Sequence, residues 1–205
     1  ISQAYTPIEY SFLYPLGLDT NARIDHNLKD AYGYNADLGW RGSFKNIFNF
    51  DIGGFYMAYN NAIGFEDFKD ANGNTYSYET NVADAAHYGA ETYVELNITK
   101  LFSQHAKIGN ISFFNSFAYD NATYINGMYK GNQCEYALPT IERIGLTYSL
   151  KCFSTTFLYS NTAKQFTDAD NTVYDASSLS GIITAFTVMD WSNTIKIKNY
   201  NIKTY

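Results

Sequence analysis

The chain has 205 residues, among them 20 tyrosines, 15 phenylalanines, 14 glycines and only 3 prolines, and a formal net charge of −6. That aromatic-rich balance without helix-forming blocks points to β structure, and an acidic chain with no Lys/Arg cluster lacks the concentrated positive charge that nucleic-acid binding needs. No apolar run approaches the roughly 20 residues of a membrane helix, and any secretion signal is expected outside these residues.

Alternation and turn signals predict strands near residues 3–13, 32–43, 47–59, 78–98, 108–124, 140–150, 152–163, 182–193 and 195–204, with no competing helix. The connectors alternate in length. Residues 14–31, 60–77, 125–139 and 164–181 are long, polar and rich in Asn, Asp and Gly, whereas those at 44–46, 99–107, 151 and 194 are shorter. Short turns at one end and long loops at the other are the pattern of an outer-membrane barrel. The faces agree with it. Tyr34, Ala36, Leu38 and Trp40 alternate with Asn35, Asp37 and Arg41, and Phe48, Phe50, Ile52 and Tyr56 with Asn49 and Asp51. In HYGAETYVELNI, Ala90, Thr92, Val94 and Leu96 oppose His87, Glu91, Tyr93 and Glu95. A lipid-facing Lys or Arg at mid-depth costs about 2–4 kcal/mol, so the charges are expected on a lumenal side. Aromatics near strand ends fit interfacial girdles.

The fold class expected is therefore all-β: an antiparallel up-and-down transmembrane β-barrel segment. A soluble carbohydrate-binding β-sandwich is the alternative from another class. An odd strand count, in a class whose bacterial single-chain members are even, makes the segment a piece of a longer barrel.

At this point the stretches ISQAYTPIEYSFLYPLGLD, NLKDAYGYNADLGWRGSFKNIFNFDIGGFYMAYNNAIG, TNVADAAHYGAETYVEL, LPTIERIGLTYSL and NTAKQFTDADNT together resemble the C-terminal barrel portion of a TonB-dependent outer-membrane receptor. The third carries Asn81, Ala85, Gly89 and Glu91 ahead of an alternating strand, and YPLGLD and QFTDADNT resemble the iron(III) dicitrate and siderophore branch. The resemblance implies a barrel of about 22 strands with a plugged lumen. It implies a Gram-negative outer-membrane location, lipid around the barrel, import of a ferric chelate, and TonB as the energising partner. The plug, the TonB box and the last strand would lie outside this chain. A relative importing glycan or peptide is the alternative within the same resemblance.

Candidate ligand contacts are His87 and Arg143, placed toward the outer mouth, and Arg23 and His26, with Lys29, on the first long connector; an anionic chelate calls for cations. Asp37, Arg41, Asp51, Glu91, Tyr93 and Glu95 are expected to face the lumen or plug. Asp70, Asn72, Gly73 and Glu79 fall at EF-hand spacing, but Phe68 stands where the first carboxylate is required, so NGN reads as a turn. Asp168 and Asp170 could hold a surface calcium; no resident cofactor is otherwise expected. Asn97, Asn110 and Asn121 begin formal glycosylation sequons that carry no weight. Cys134 and Cys152 have no ligand-spaced His and are read as unpaired. Hydrolase and nucleotide motifs are missing, and Glu91 and Glu95, about 13 Å apart along a strand, exceed the ~5–9.5 Å of glycosidase carboxylates. No enzyme is expected.

Overall fold

The structure, a computed structural model, describes residues 1–7, 23–102, 108–174, 181–197 and 200–205. The strands are β1 (Ser2–Thr6), β2 (Arg23–Ile24), β3 (Ala31–Phe44), β4 (Phe48–Lys69) and β5 (Thr75–Asn97). After a short helix α1 (Ile98–Phe102) come β6 (Asn110–Tyr124), β7 (Thr140–Leu150), β8 (Phe153–Thr162), β9 (Gln165–Phe166), β10 (Ile182–Ile183), β11 (Phe186–Ile197) and β12 (Tyr200–Thr204).

One sheet runs β1-β3-β4-β5-β6-β7-β8-β11-β12, with antiparallel pairing between successive members. This is the up-and-down meander the connector pattern predicts, and it excludes the stacked sheets of a sandwich. The β3–β4 hairpin closes locally. Between β3 and β4, Lys45 and Asn46 both adopt positive φ (49° and 52°), and the Ile47 amide donates to the Phe44 carbonyl at 2.9 Å. Two left-handed residues make the turn whose twist matches paired strands.

The ladder sorts side chains into two faces. Leu38, Gly54, Ala90 and Tyr119 lie side by side across four strands, as do Trp40, Ile52, Thr92 and Phe117 one step away. Between them fall Gly39, Gly53, Glu91 and Ala118 on the other face. The apolar face is open: Leu38 is 85% and Trp40 72% exposed, and Ile52 is exposed as well. Phe50, Val94 and Leu96, expected to be as open, are half-buried, Phe50 against the rings of Trp40 and Phe48. The buried cluster of Ala83, Ala85, Ala122, Tyr124 and Cys134 sits at the long-connector end, not behind the apolar face.

Several boundaries depart from the sequence reading. The connector expected at 60–77 is mostly strand: β4 and β5 continue to a tight turn at 70–74, past a register shift between Tyr59 and Ala62. Phe68 stacks there on Tyr76, and Tyr78 meets both rings edge-on, so this hairpin supplies its own cross-strand stabilisation. The turn expected at Thr194 lies beyond Ile197 because β11 pairs Ile195 with Phe153, and the Lys196 amide donates to the Cys152 carbonyl at 2.8 Å. The unanticipated α1 is one turn, too short for a helical period to show. Asn97 caps it, its Oδ1 accepting from the Lys100 amide at 2.9 Å. The first predicted strand is described only as Ser2–Thr6; its remainder and YPLGLD lie outside the described residues.

Candidate functional site: a charged row across the polar face

Following the register from strand to strand, Arg41 lies opposite Asp51, Asp51 opposite Tyr93, Tyr93 opposite Ser116, and Ser116 opposite Arg143. Five strands thus bring residues 102 positions apart in sequence into one row. Arg41 Nη2 meets Asp51 Oδ2 at 3.1 Å. The next row carries Gly39, Gly53 and Glu91, and the two facing glycines leave a notch because no side chain rises from them. Arg41, Asp51, Glu91, Tyr93, Ser116 and Arg143 border a groove of about 480 Å³ over that notch. Both signs of charge line it, with the two guanidinium groups at its ends and the carboxylates between. Arg41 and its partner are well exposed, so this pair contributes little to stability, and the groups remain available to a ligand or to another segment. Glu95, one step further along β5, takes a hydrogen bond from Asn49 Nδ2 at 3.2 Å.

The other predicted contacts are not gathered there. His87 stands in a separate row, opposite Met57 and Ala122, about 20 Å up β5 from Tyr93 at ~3.3 Å per residue. Its Nδ1 faces Asp120 Oδ2 at 3.2 Å, and its ring packs edge-on against Tyr59. His87, Tyr59, Tyr124, Cys134 and Glu135 border a second cavity of about 350 Å³ near the long connectors. Arg23 is committed elsewhere, its guanidinium 3.9 Å from the Tyr76 ring centre on the tall hairpin, while His26 is exposed. Asp37 lies on the polar face opposite Phe55.

The connector carboxylates serve their own backbones. Asp70 Oδ1 accepts from the Asn72 and Asn74 amides at 2.8 and 2.9 Å, and Gly73 takes φ +84°. Those hydrogen bonds hold the Asp70 carboxyl below its usual range. Glu79, the other end of the EF-hand spacing, is buried on β5 at 2% exposure, and loss of water pushes its carboxyl up. Asp168 Oδ1 receives the Thr172 amide and hydroxyl at 3.1 and 3.0 Å. Among the described residues no three His, Cys, Asp or Glu side chains gather as a metal site.

Sequence reasoning missed Glu142. By register it belongs to the apolar face, opposite Phe117 and Asn161, and Asn115 Nδ2 donates to its Oε1 at 3.3 Å. The parity of ERIGL, counted from Arg143, carries the signal.

Cys134 and Cys152 are both free, the first buried and the second exposed on the β7–β8 turn. Burial pushes the Cys134 thiol up to about 11 from 9.0. Maleimide at pH 8 is therefore expected to label Cys152 rapidly and Cys134 only after denaturation. The unfolded thiol ionises first, so the folded state binds more protons between pH 9 and 11, and Cys134 makes stability fall as pH rises through that window. Equal labelling of both thiols in the folded protein would show the outer connector packed differently.

No family model matches the sequence, and no curated protein matches it. Solved structures match at the level of fold. The copper transporter OprC aligns with a TM-score of 0.69 and 16% identity over 98% of this chain and 29% of its own. The ferric citrate transporter FecA, in its unliganded form, aligns at 0.62 and 19% identity over 82% and 24%. The ferric yersiniabactin uptake receptor FyuA from Yersinia pestis aligns at 0.59 and 14% over 86% and 24%. The chain spans 24–29% of the length of these structures. They are transporters and receptors, not enzymes. In that fold the apolar face turns to lipid and the polar face to the lumen. The chain has the fold of a wall segment of a TonB-dependent outer-membrane receptor barrel.

Proposed function

We propose that this chain forms part of the wall of a Gram-negative outer-membrane receptor that imports a ferric chelate, a siderophore or iron dicitrate, with energy from TonB. The observation that carries the reading is the lumenal row ending in Arg41 and Arg143, set in a fold shared with metal and metal-chelate transporters. A guanidinium offers a carboxylate-bearing or catecholate-bearing complex paired donors, and Tyr93 and Ser116 between them add hydroxyls. The contact with TonB belongs to a plug domain outside these residues, and the polar groove is where that plug or the passing chelate meets the wall. His87, Arg23 and His26 belong to the outer approach in this proposal. The copper transporter among the matched structures keeps a metal ion without chelator as a second reading.

The test is uptake by the full-length protein in cells that lack other receptors for the supplied metal, with and without TonB. Radioiron from ferric dicitrate is expected to enter in a TonB-dependent way. Replacing Arg143 with alanine removes a charged hydrogen-bond donor worth about 1.5–3 kcal/mol, so half-saturation is expected to rise by roughly tenfold or more. Entry of copper alone would select the second reading, and entry of a glycan or peptide alone would overturn both.

A further inference from the structure

The groove on the polar face holds two opposite charges that no described residue neutralises. Arg41 is engaged by Asp51 at 3.1 Å, whereas neither Glu91 nor Arg143 forms an ion pair among the described residues. Both are exposed, and both border the groove. They do not reach each other. Glu91 lies opposite Ala118, and Ala118 opposite Ile141, two residues along β7 from Arg143, which sets their Cα atoms about 12 Å apart at ~4.8 Å per strand and ~3.3 Å per residue. Tyr93 and Ser116, facing each other, fill the interval with hydroxyls. Beside Glu91 the facing Gly39 and Gly53 leave the notch, and even a Cβ at residue 53 would meet nothing nearer than 3.7 Å. There is room against the carboxylate. The groove is therefore dipolar: positive at Arg143, negative at the notch, and neutral where Arg41 and Asp51 cancel.

We propose that this groove selects, among ferric chelates, those that carry an ammonium group on an arm as well as the anionic groups that hold the metal, an inference that rests on the function proposed above. Arg143 takes the anionic side through paired N–H donors. Glu91 takes the ammonium in the notch. A wholly anionic chelate gains the first contact and is repelled at the second, so Glu91 acts by disfavouring the wrong ligand as much as by holding the right one. The carboxylate is not a site for the bare metal, since no three His, Cys, Asp or Glu side chains gather there among the described residues. Glu91 is a specificity-determining residue and Arg143 the common anchor.

The probes are the ferric complexes of Nα,Nα-bis(carboxymethyl)lysine, whose arm ends in an ammonium, and of its Nε-acetyl form, whose arm is neutral, with ferric dicitrate alongside. Radioiron uptake is measured for the full-length protein in cells that lack other receptors for the supplied metal, with and without TonB. Wild type is expected to half-saturate with the ammonium form at about fivefold lower concentration than with the acetyl form, the ratio one exposed ion pair supplies. Glu91→Gln should abolish that ratio and lower half-saturation for dicitrate, while Arg143→Ala should raise it for all three. Asp190→Asn removes a like charge from the other side of Arg143, on β11 and outside the groove, and should leave the ratio unchanged. Equal half-saturation for the two arms in wild type, a ratio that survives Glu91→Gln, or entry of dicitrate alone would overturn the proposal. Equal weakening of both forms by Glu91→Gln would assign the residue to holding the wall together and overturn it as well. Failure of every ferric chelate to enter in a TonB-dependent way would instead overturn the import reading itself.

Discussion

Gly89→Val is expected to prevent the barrel wall from assembling. A Cβ at residue 89 would lie 1.9 Å from the Tyr119 carbonyl oxygen and 2.8 Å from Phe55 Cζ. The first contact is with the backbone of β6, which is fixed by its own ladder to β5 and β7 and cannot rotate aside as a side chain could. Overpacking of this kind costs about 1–3 kcal/mol where neighbours yield, and backbone yields least, so the loss should reach or exceed about 3 kcal/mol. The measurement is the fraction of full-length protein that stays compact and migrates fast in unheated detergent gels. Gly53→Val is the matched control: it stands on the same face of β4, and its Cβ meets nothing nearer than the Leu38 carbonyl at 3.7 Å. A compact Gly89→Val barrel would mean that β5 and β6 are spaced more widely than described.

The second large effect separates the two faces. Ile52 lies between Trp40 and Thr92 on the apolar side, so Ile52→Arg places a guanidinium against hydrocarbon and should cost about 2–4 kcal/mol near mid-depth. Asn49→Arg, three residues away on the other face, finds Glu95 already within reach of residue 49 and is expected to cost under about 1 kcal/mol. Unfolding by denaturant in lipid vesicles reads both. Equal costs would mean that both faces meet the same solvent, which a barrel wall in a membrane does not allow.

These faces were legible in the sequence because a strand repeats every two residues, so Asp37, Arg41, Asp51, Glu91, Tyr93 and Glu95 sort themselves without knowledge of their neighbours. What sits beside what was not legible. Arg41 and Arg143 share a row only through the registers of five strands, and no local pattern encodes a register. The same limit hid Glu142: its place on the apolar face follows from Arg143 by parity, yet its partner Asn115 is 27 residues away. The tall hairpin does not show as strand in the sequence because NNAIGFEDFKDANGNTYSYE is polar. In that stretch β5 runs on past the end of β6 and the sequence is polar at successive positions, so polarity no longer marks where a strand ends. Asn97 looked like an idle sequon and is a helix cap, a role that depends on the turn which follows it.

In the proposed barrel, that tall hairpin changes what the outer surface offers to a stranger. Beyond the last residue of β6, which pairs with Ala85, the β5 strand continues for ten further residues, from 84 back to 75. It is held by the rings of Phe68, Tyr76 and Tyr78, by Arg23 over Tyr76, and by β2 along its edge. A pliable loop would have to surrender conformational freedom to every antibody or phage fibre that gripped it, whereas this segment has already lost that freedom on folding. Recognition of it should therefore be recognition of a shape: a binder selected on the intact protein would ignore residues 60–84 presented as a free peptide.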